Sequence, residues 1–137
     1  MSIVLFVCKA NQGRSVMSQA LLDRAAAGRH AGISAGSEAV AGTPPHGVVV
    51  EAMRDIGIDV SGHRAQPLTF DIAAQADAVV TMGCGDACPA VPGRKQLRVE
   101  WDLSDPKDAS PEDVAAIRDD IARRVRALVA HLDDLAG

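Results

Sequence analysis

Apolar positions recur along this chain in two rhythms. Ile3-Val4-Leu5-Phe6-Val7 runs without a polar interruption, and Ala78-Val79-Val80-Thr81-Met82 does nearly the same. Short continuous runs of this kind predict strands covered on both faces. Arg29 to Ala35 is a further apolar stretch that leads into the turn Ser34-Ala35-Gly36-Ser37, and Leu97 to Val99 has the length of an edge strand. Between these runs the rhythm becomes helical. Met17, Ala20, Leu21 and Ala25 share one face of a helix over 15–26, and Val48, Val49, Ala52, Met53 and Ile56 share one face of a helix over 48–56. Pro45-His46 opens that second helix and Gly57 stops it. Thr69 caps a short helix to Ala74, with Asp71 in its first turn. Ser110-Pro111-Glu112-Asp113 opens the last helix, which runs to Leu135 with Val114, Ile117, Ile121, Val125, Leu128 and Leu132 as its apolar stripe. Strands alternating with helices across short connectors predict an α/β fold: a parallel sheet of about four strands in a three-layer sandwich, forming a single domain over 1–137.

Composition narrows function more than fold. A chain of 137 residues can bury a core without disulfides. No apolar run approaches the ~20 residues of a membrane span. Net charge is −4 with no basic stretch, so neither a nucleic-acid surface nor a membrane surface is expected. Nothing before Ile3 reads as an export signal, which makes the cytoplasm the expected location. The stripe on the last helix reads as core and not as a partner groove, so a monomer is expected. His46 and His63 have no cysteine or carboxylate at metal-ligand spacing; solvated or capping roles are expected, and no metal or cofactor. Three cysteines, an odd number, point to thiol chemistry and away from a disulfide framework.

The first thiol ends the first strand. Cys8-Lys9-Ala10-Asn11-Gln12-Gly13-Arg14-Ser15 places it at a strand-to-helix turn, where backbone N–H groups converge and the helix presents its positive end. Five residues between Cys8 and Arg14 let the turn wrap one tetrahedral oxyanion, while the Arg14 guanidinium reaches back with two donors. Cys8 then reads as a nucleophile, favoured as thiolate by those donors and by Lys9. A buried structural cysteine is the alternative for a lone residue; Asn11, Arg14 and Ser15 around it favour the nucleophile.

Two more groups carry chemistry. Thr81-Met82-Gly83-Cys84-Gly85-Asp86-Ala87-Cys88-Pro89 puts two cysteines in the glycine-rich loop after a later strand. In an open α/β sheet both loops fall at the carboxyl ends of the strands, so Cys84 can attack Cys8 and Cys88 can attack Cys84. Structural thiols and a zinc site are the alternatives, and zinc lacks further ligands at suitable spacing. Trp101-Asp102-Leu103-Ser104-Asp105-Pro106 holds the third group. An aspartate before proline is kept extended, which suits a general acid, although Asp102 and Asp108 are rivals on composition alone.

Cys8 to Ser15 resembles the signature loop of the low-molecular-weight tyrosine phosphatase fold, and more specifically of the arsenate reductases built on it. The later motifs extend the resemblance over nearly the whole chain. It implies that arsenate is the substrate, that Cys8 attacks it, and that Lys9, Ala10, Asn11, Gln12, Gly13, Arg14 and Ser15 form its cradle. It implies Asp105 as the acid, since the family's acid is the aspartate of an Asp-Pro pair after a tryptophan-containing stretch. It also implies a relay through Cys84 and Cys88 regenerated by thioredoxin or by a small thiol such as mycothiol. The two cysteines stand closer here than in the similar thioredoxin-coupled enzymes, leaving Cys84–Cys88 and a bond involving Cys8 both open as the final disulfide. Phosphatases of this fold share cradle and acid but place tyrosine or tryptophan as a wall for a phenol; this chain has no tyrosine. A phosphatase with a thiol switch and a noncatalytic, redox-sensing oxyanion binder remain as alternative readings. Some family members also hold potassium beneath the cradle through residues matching Asn11 and Ser34 and two carboxylates. Gln19 and Gln66 stand at the carboxylate positions, so little effect of potassium is expected, with the glutamines bonded to each other or to the cradle.

Overall fold

The computed structural model describes residues 1–83 and 91–136. Strands β1 (Ser2–Cys8), β2 (His30–Gly36), β3 (Ala78–Thr81) and β4 (Leu97–Glu100) form one parallel sheet in the order β2-β1-β3-β4. Helices α1 (Arg14–Ala26), α2 (Gly47–Arg54), α3 (Phe70–Ala74) and α4 (Pro111–Ala136) cover it. Alternation along β1 decides what each layer contains. Val4, Phe6 and Cys8 pack with Met17 and Leu21 of α1, Met53 of α2 and Ile121 of α4. Leu5 and Val7 face the other way, against Val79 and, from α3, Ala73. The sheet is thus the middle of three layers, as the sequence predicts, and Cys8 points to the side where α1 begins.

Register sets the working edge. Cys8 is level with Gly36 and Val7 with Thr81, so the loops after β1, β2 and β3 leave the sheet together. The Trp101 N–H continues the β3–β4 ladder to the Thr81 carbonyl at 2.9 Å, which brings the loop after β4 to the same edge. Trp101 is buried against Phe6, ring centroids 5.8 Å apart. It is core, and offers no aromatic wall.

The helix caps stand where the sequence puts them. Thr69 Oγ1 accepts from the Ile72 N–H at 3.2 Å, and Ser110 Oγ from the Asp113 N–H at 3.1 Å. The stripe on α4 is buried apart from half-buried Ile117. α2 is shorter than expected, ending at Arg54 where the periodicity ran to Ile56. The cause is Gly57, whose left-handed backbone (φ 82°) lets Gly57 and Ile58 donate back to Arg54 and Met53 and peel off the last turn. Among the described residues no helix is long and apolar enough to cross a membrane.

Candidate active site

Residues 9–13 turn between β1 and α1, and the carbonyls of Cys8, Lys9, Asn11 and Gln12 face outward. Cys8 C=O accepts from the Ser37 N–H (2.9 Å), Lys9 C=O from Glu38 (2.8 Å), Gln12 C=O from His46 (3.0 Å), and Asn11 C=O from His63 Nε2 (3.1 Å). A peptide's N–H points opposite to its C=O, so the amides of Lys9, Ala10, Gln12 and Gly13 turn inward; none of the four donates to another described residue. Inward-turned donors of this kind have the geometry of an anion cradle. Asn11 supplies the sharp bend with φ 56°, a left-handed conformation asparagine tolerates better than most residues. Gly36 lets β2 approach: a Cβ there would collide with the Lys9 carbonyl and lie 2.9 Å from the Asn11 nitrogen. Lys9 is exposed, and the Gln12 side chain turns out to Pro44 C=O at 2.9 Å, so Gln12 offers the cradle only its backbone.

Hydrogen bonds fix the direction of the thiol. The Gln66 backbone N–H donates to Asn11 Oδ1 (3.0 Å), which orients the amide so that Nδ2 donates to Ser15 Oγ (2.8 Å). Ser15 Oγ lies 2.9 Å from Cys8 Sγ. With its oxygen already accepting from Asn11, the hydroxyl has its proton free for sulfur, which is what a thiolate needs. Cys8 is 3% exposed, at the floor of the cradle. His63 departs from the solvated or capping role expected of it. It is half-buried, and because its partner is a carbonyl, Nε2 carries the proton. Burial holds its pKa below the ordinary histidine value, opposed by the bond to Asn11. His46 precedes α2 as expected, but its ring makes no capping bond.

Arg14 ties the cradle to the neighbouring loops. Its guanidinium, 8% exposed, donates from Nη1 to Leu103 C=O at 3.1 Å, and Nη2 lies 3.7 Å from Asp105 Oδ2. Asp105 Oδ1 accepts from the Lys107 N–H at 2.9 Å, a short Asx turn that aims the other oxygen at Arg14. Pro106 then seats the loop on the cradle: a Cβ on Gly13 would lie 2.6 Å from Pro106 Cγ. Asp105, Asp102 and Asp108 are all exposed, and of the three only Asp105 pairs with Arg14. Cys84 and Cys88 lie outside the described residues. Gly83 packs on Arg14, and a Cβ built on it would be 2.8 Å from Nη1.

Over residues 3–135 the chain matches the low molecular weight phosphotyrosine protein phosphatase family. The chain belongs to this family. It is 32% identical over 133 residues to the glutaredoxin arsenate reductase of Synechocystis sp., covering 96% of this chain and 99% of that protein. A solved arsenate reductase in the phosphate binding state superposes with a TM-score of 0.80 at 31% identity, covering 96% of this chain and 98% of the other. The thioredoxin-dependent arsenate reductase of Corynebacterium glutamicum gives a TM-score of 0.82 at 32% identity, with 100% of this chain and 64% of that one covered. The fold is therefore that of the low-molecular-weight phosphatases, and arsenate reductases of that fold are among its relatives.

The potassium site that the family resemblance raises does not fit these residues. Ser34 Oγ donates to Gln19 Oε1 at 2.6 Å, Gln66 Nε2 donates to Ser34 C=O at 2.8 Å, and Asn11 Oδ1 is taken by Gln66 N–H. The two glutamines meet on Ser34 and not on each other. Gln19 Oε1, Asn11 Oδ1 and the Ser34 carbonyl already accept from protein donors, and Gln19 and Gln66 bring no charge where the family resemblance puts carboxylates. Among the described residues there is no cluster of three or more His, Cys, Asp or Glu side chains able to hold a metal.

Proposed function

We propose that the protein reduces arsenate to arsenite through Cys8 and a relay of its other two thiols. Cys8 sulfur attacks arsenate held by the loop amides and Arg14. A sulfur–arsenic bond forms, and one arsenate oxygen leaves as water, with Asp105 giving the proton. Cys84 thiolate then attacks Cys8 sulfur. The sulfur–arsenic pair of electrons stays with arsenic, which departs as arsenite, and the two sulfurs form a disulfide. Cys88 attacks Cys84, freeing Cys8 and leaving Cys84–Cys88 for an external dithiol to reduce. The protein acts as a monomer in this scheme, with no metal or cofactor in any step.

The observation that supports this reading over simple hydrolysis is the seat of Gly83 against Arg14, because the two relay cysteines follow Gly83 in the chain. Phosphoester hydrolysis has no use for them. The reductant is a thiol donor of the thioredoxin or glutaredoxin type, as the names of two relatives suggest, with mycothiol as the small-molecule alternative. Arsenite release measured with each donor system tests this: turnover with at least one donor supports it, and phosphoester hydrolysis without arsenite under any donor contradicts it. The second reading, a phosphatase, is favoured by a cradle whose donors do not distinguish phosphate from arsenate. Slow phosphoester hydrolysis is expected as a side activity.

A further inference from the structure

We propose that Gly83 is a positioning residue for Arg14: its missing side chain is the space in which the guanidinium sits. The inference rests on the reading of Arg14 as an oxyanion ligand and assigns one wall of its seat. Gly83 has φ +74°, and a Cβ there would come 2.8 Å from Nη1 and 3.7 Å from Cζ. The guanidinium is set by contacts on its other sides. Nη1 is held by Leu103 C=O at 3.1 Å, Nη2 faces Asp105 at 3.7 Å, and the group is 8% exposed.

The Gly83 backbone is held on its own side as well. Met82 N–H donates to Val7 C=O at 2.8 Å, and Met82 Sδ lies 3.5 Å from Ser18 Oγ in α1. A methyl group at Gly83 therefore moves the arginine and leaves the strand in place. Displacing the end of a flexible side chain costs little stability. It costs function, since a guanidinium fork binds an oxyanion only when both donors are aligned, and small misplacements of such groups are expensive.

Calorimetric titration of the full chain with inorganic phosphate tests this, using Gly83→Ala, Arg14→Ala, the double variant and Gly93→Ala. Gly93 has the same left-handed backbone, φ +75°, with nothing within 4 Å of a built Cβ, so Gly93→Ala carries the strain alone. Gly83→Asn adds the same Cβ with a residue that tolerates positive φ, and serves if the alanine variant does not fold. The expected result is roughly tenfold weaker phosphate binding in Gly83→Ala and Gly83→Asn, with KM for a small phosphoester raised in step. Gly93→Ala should bind as the wild type, and Gly83→Ala should have no further effect once Arg14 is alanine. Wild-type affinity in both Gly83 variants beside weakened Arg14→Ala would overturn the inference alone. Additive losses in the double variant, or equal weakening by Gly93→Ala, would overturn it too. Unchanged binding in Arg14→Ala would remove the reading of Arg14 itself.

Discussion

Ser15 explains why one cysteine here is not an ordinary buried thiol. Its oxygen accepts a hydrogen bond from Asn11 Nδ2, which leaves its own O–H free to donate to Cys8, so a string of donors beginning at the Gln66 amide ends on sulfur. Cys8→Ser should abolish both arsenate reduction and phosphoester hydrolysis, since a hydroxyl is a far poorer nucleophile; activity above about a percent of wild type in either assay contradicts the assignment. Asp105→Asn should slow the chemical step by roughly a hundredfold with little change in substrate affinity, as removal of a general acid does. Asp102→Asn should do neither, and rapid-quench rates for the two variants decide between them. Cys8 and Arg14 could be singled out from local spacing, a thiol ending a strand and an arginine opening the helix, whereas the residues alone left Asp105 level with Asp102 and Asp108 and only the family resemblance chose it. His63 and Gly83 could not be singled out, because they meet the cradle across long stretches of chain. Nothing near either residue in sequence shows that His63 clamps the Asn11 carbonyl or that Gly83 makes room for a guanidinium.

The helices and strands were read from their periodicity and caps, and the helix end that moved most, that of α2, did so where a glycine permits a tighter close. What periodicity could not give is how elements share polar atoms. Asn11 after β1, Gln19 on α1, Ser34 on β2 and Gln66 in the connector to α3 bond to one another, and every bond spans two segments. Because those neutral groups satisfy one another, potassium should raise neither melting temperature nor turnover relative to a bulky organic cation at equal ionic strength. A potassium-specific rise of several degrees would show that an ion binds after all. The close contact of β2 with the cradle gives a second expectation. Gly36→Ala pushes a methyl group into the Lys9 carbonyl, a backbone atom that cannot swing away. Denaturant unfolding should show a loss of roughly 1–3 kcal/mol, the usual cost of overpacking; an unchanged midpoint would mean that the loop yields.

At the scale of the molecule, a clasp far from the cradle joins the start of the sheet to the end of α4. The Ser2 N–H donates to His30 Nδ1 (3.1 Å), so Nε2 carries the proton toward Asp133 (2.8 Å), which Arg29 also grips at 3.1 Å. Hydrogen bonds from Arg29 and then His30 hold the Asp133 carboxyl below its ordinary 3.8. A depressed carboxyl pKa stabilises the fold above the unfolded value, and that contribution is lost as pH falls through the folded value. His63, lowered from 6.5 by burial, loses its contribution on acidification as well, but from a higher pH. Melting temperature should fall first below about pH 6.5 and again below about pH 4. His63→Gln should remove the first fall and Asp133→Asn the second; parallel curves for wild type and Asp133→Asn would show that the clasp is not coupled to folding.

In the proposed relay the electrons for arsenic come from this chain's own cysteines, and single-turnover arsenite release shows whether they do. Fully reduced protein is mixed with arsenate after all external thiol has been removed, and arsenite is counted per chain. Two electrons leave with each arsenite and one disulfide forms, so wild type should release one arsenite and then stop. Cys88→Ser should do the same, ending as the Cys8–Cys84 disulfide, whereas Cys8→Ser and Cys84→Ser should release none. Release from Cys84→Ser equal to that of wild type, or none from wild type until a donor is added, would contradict the account.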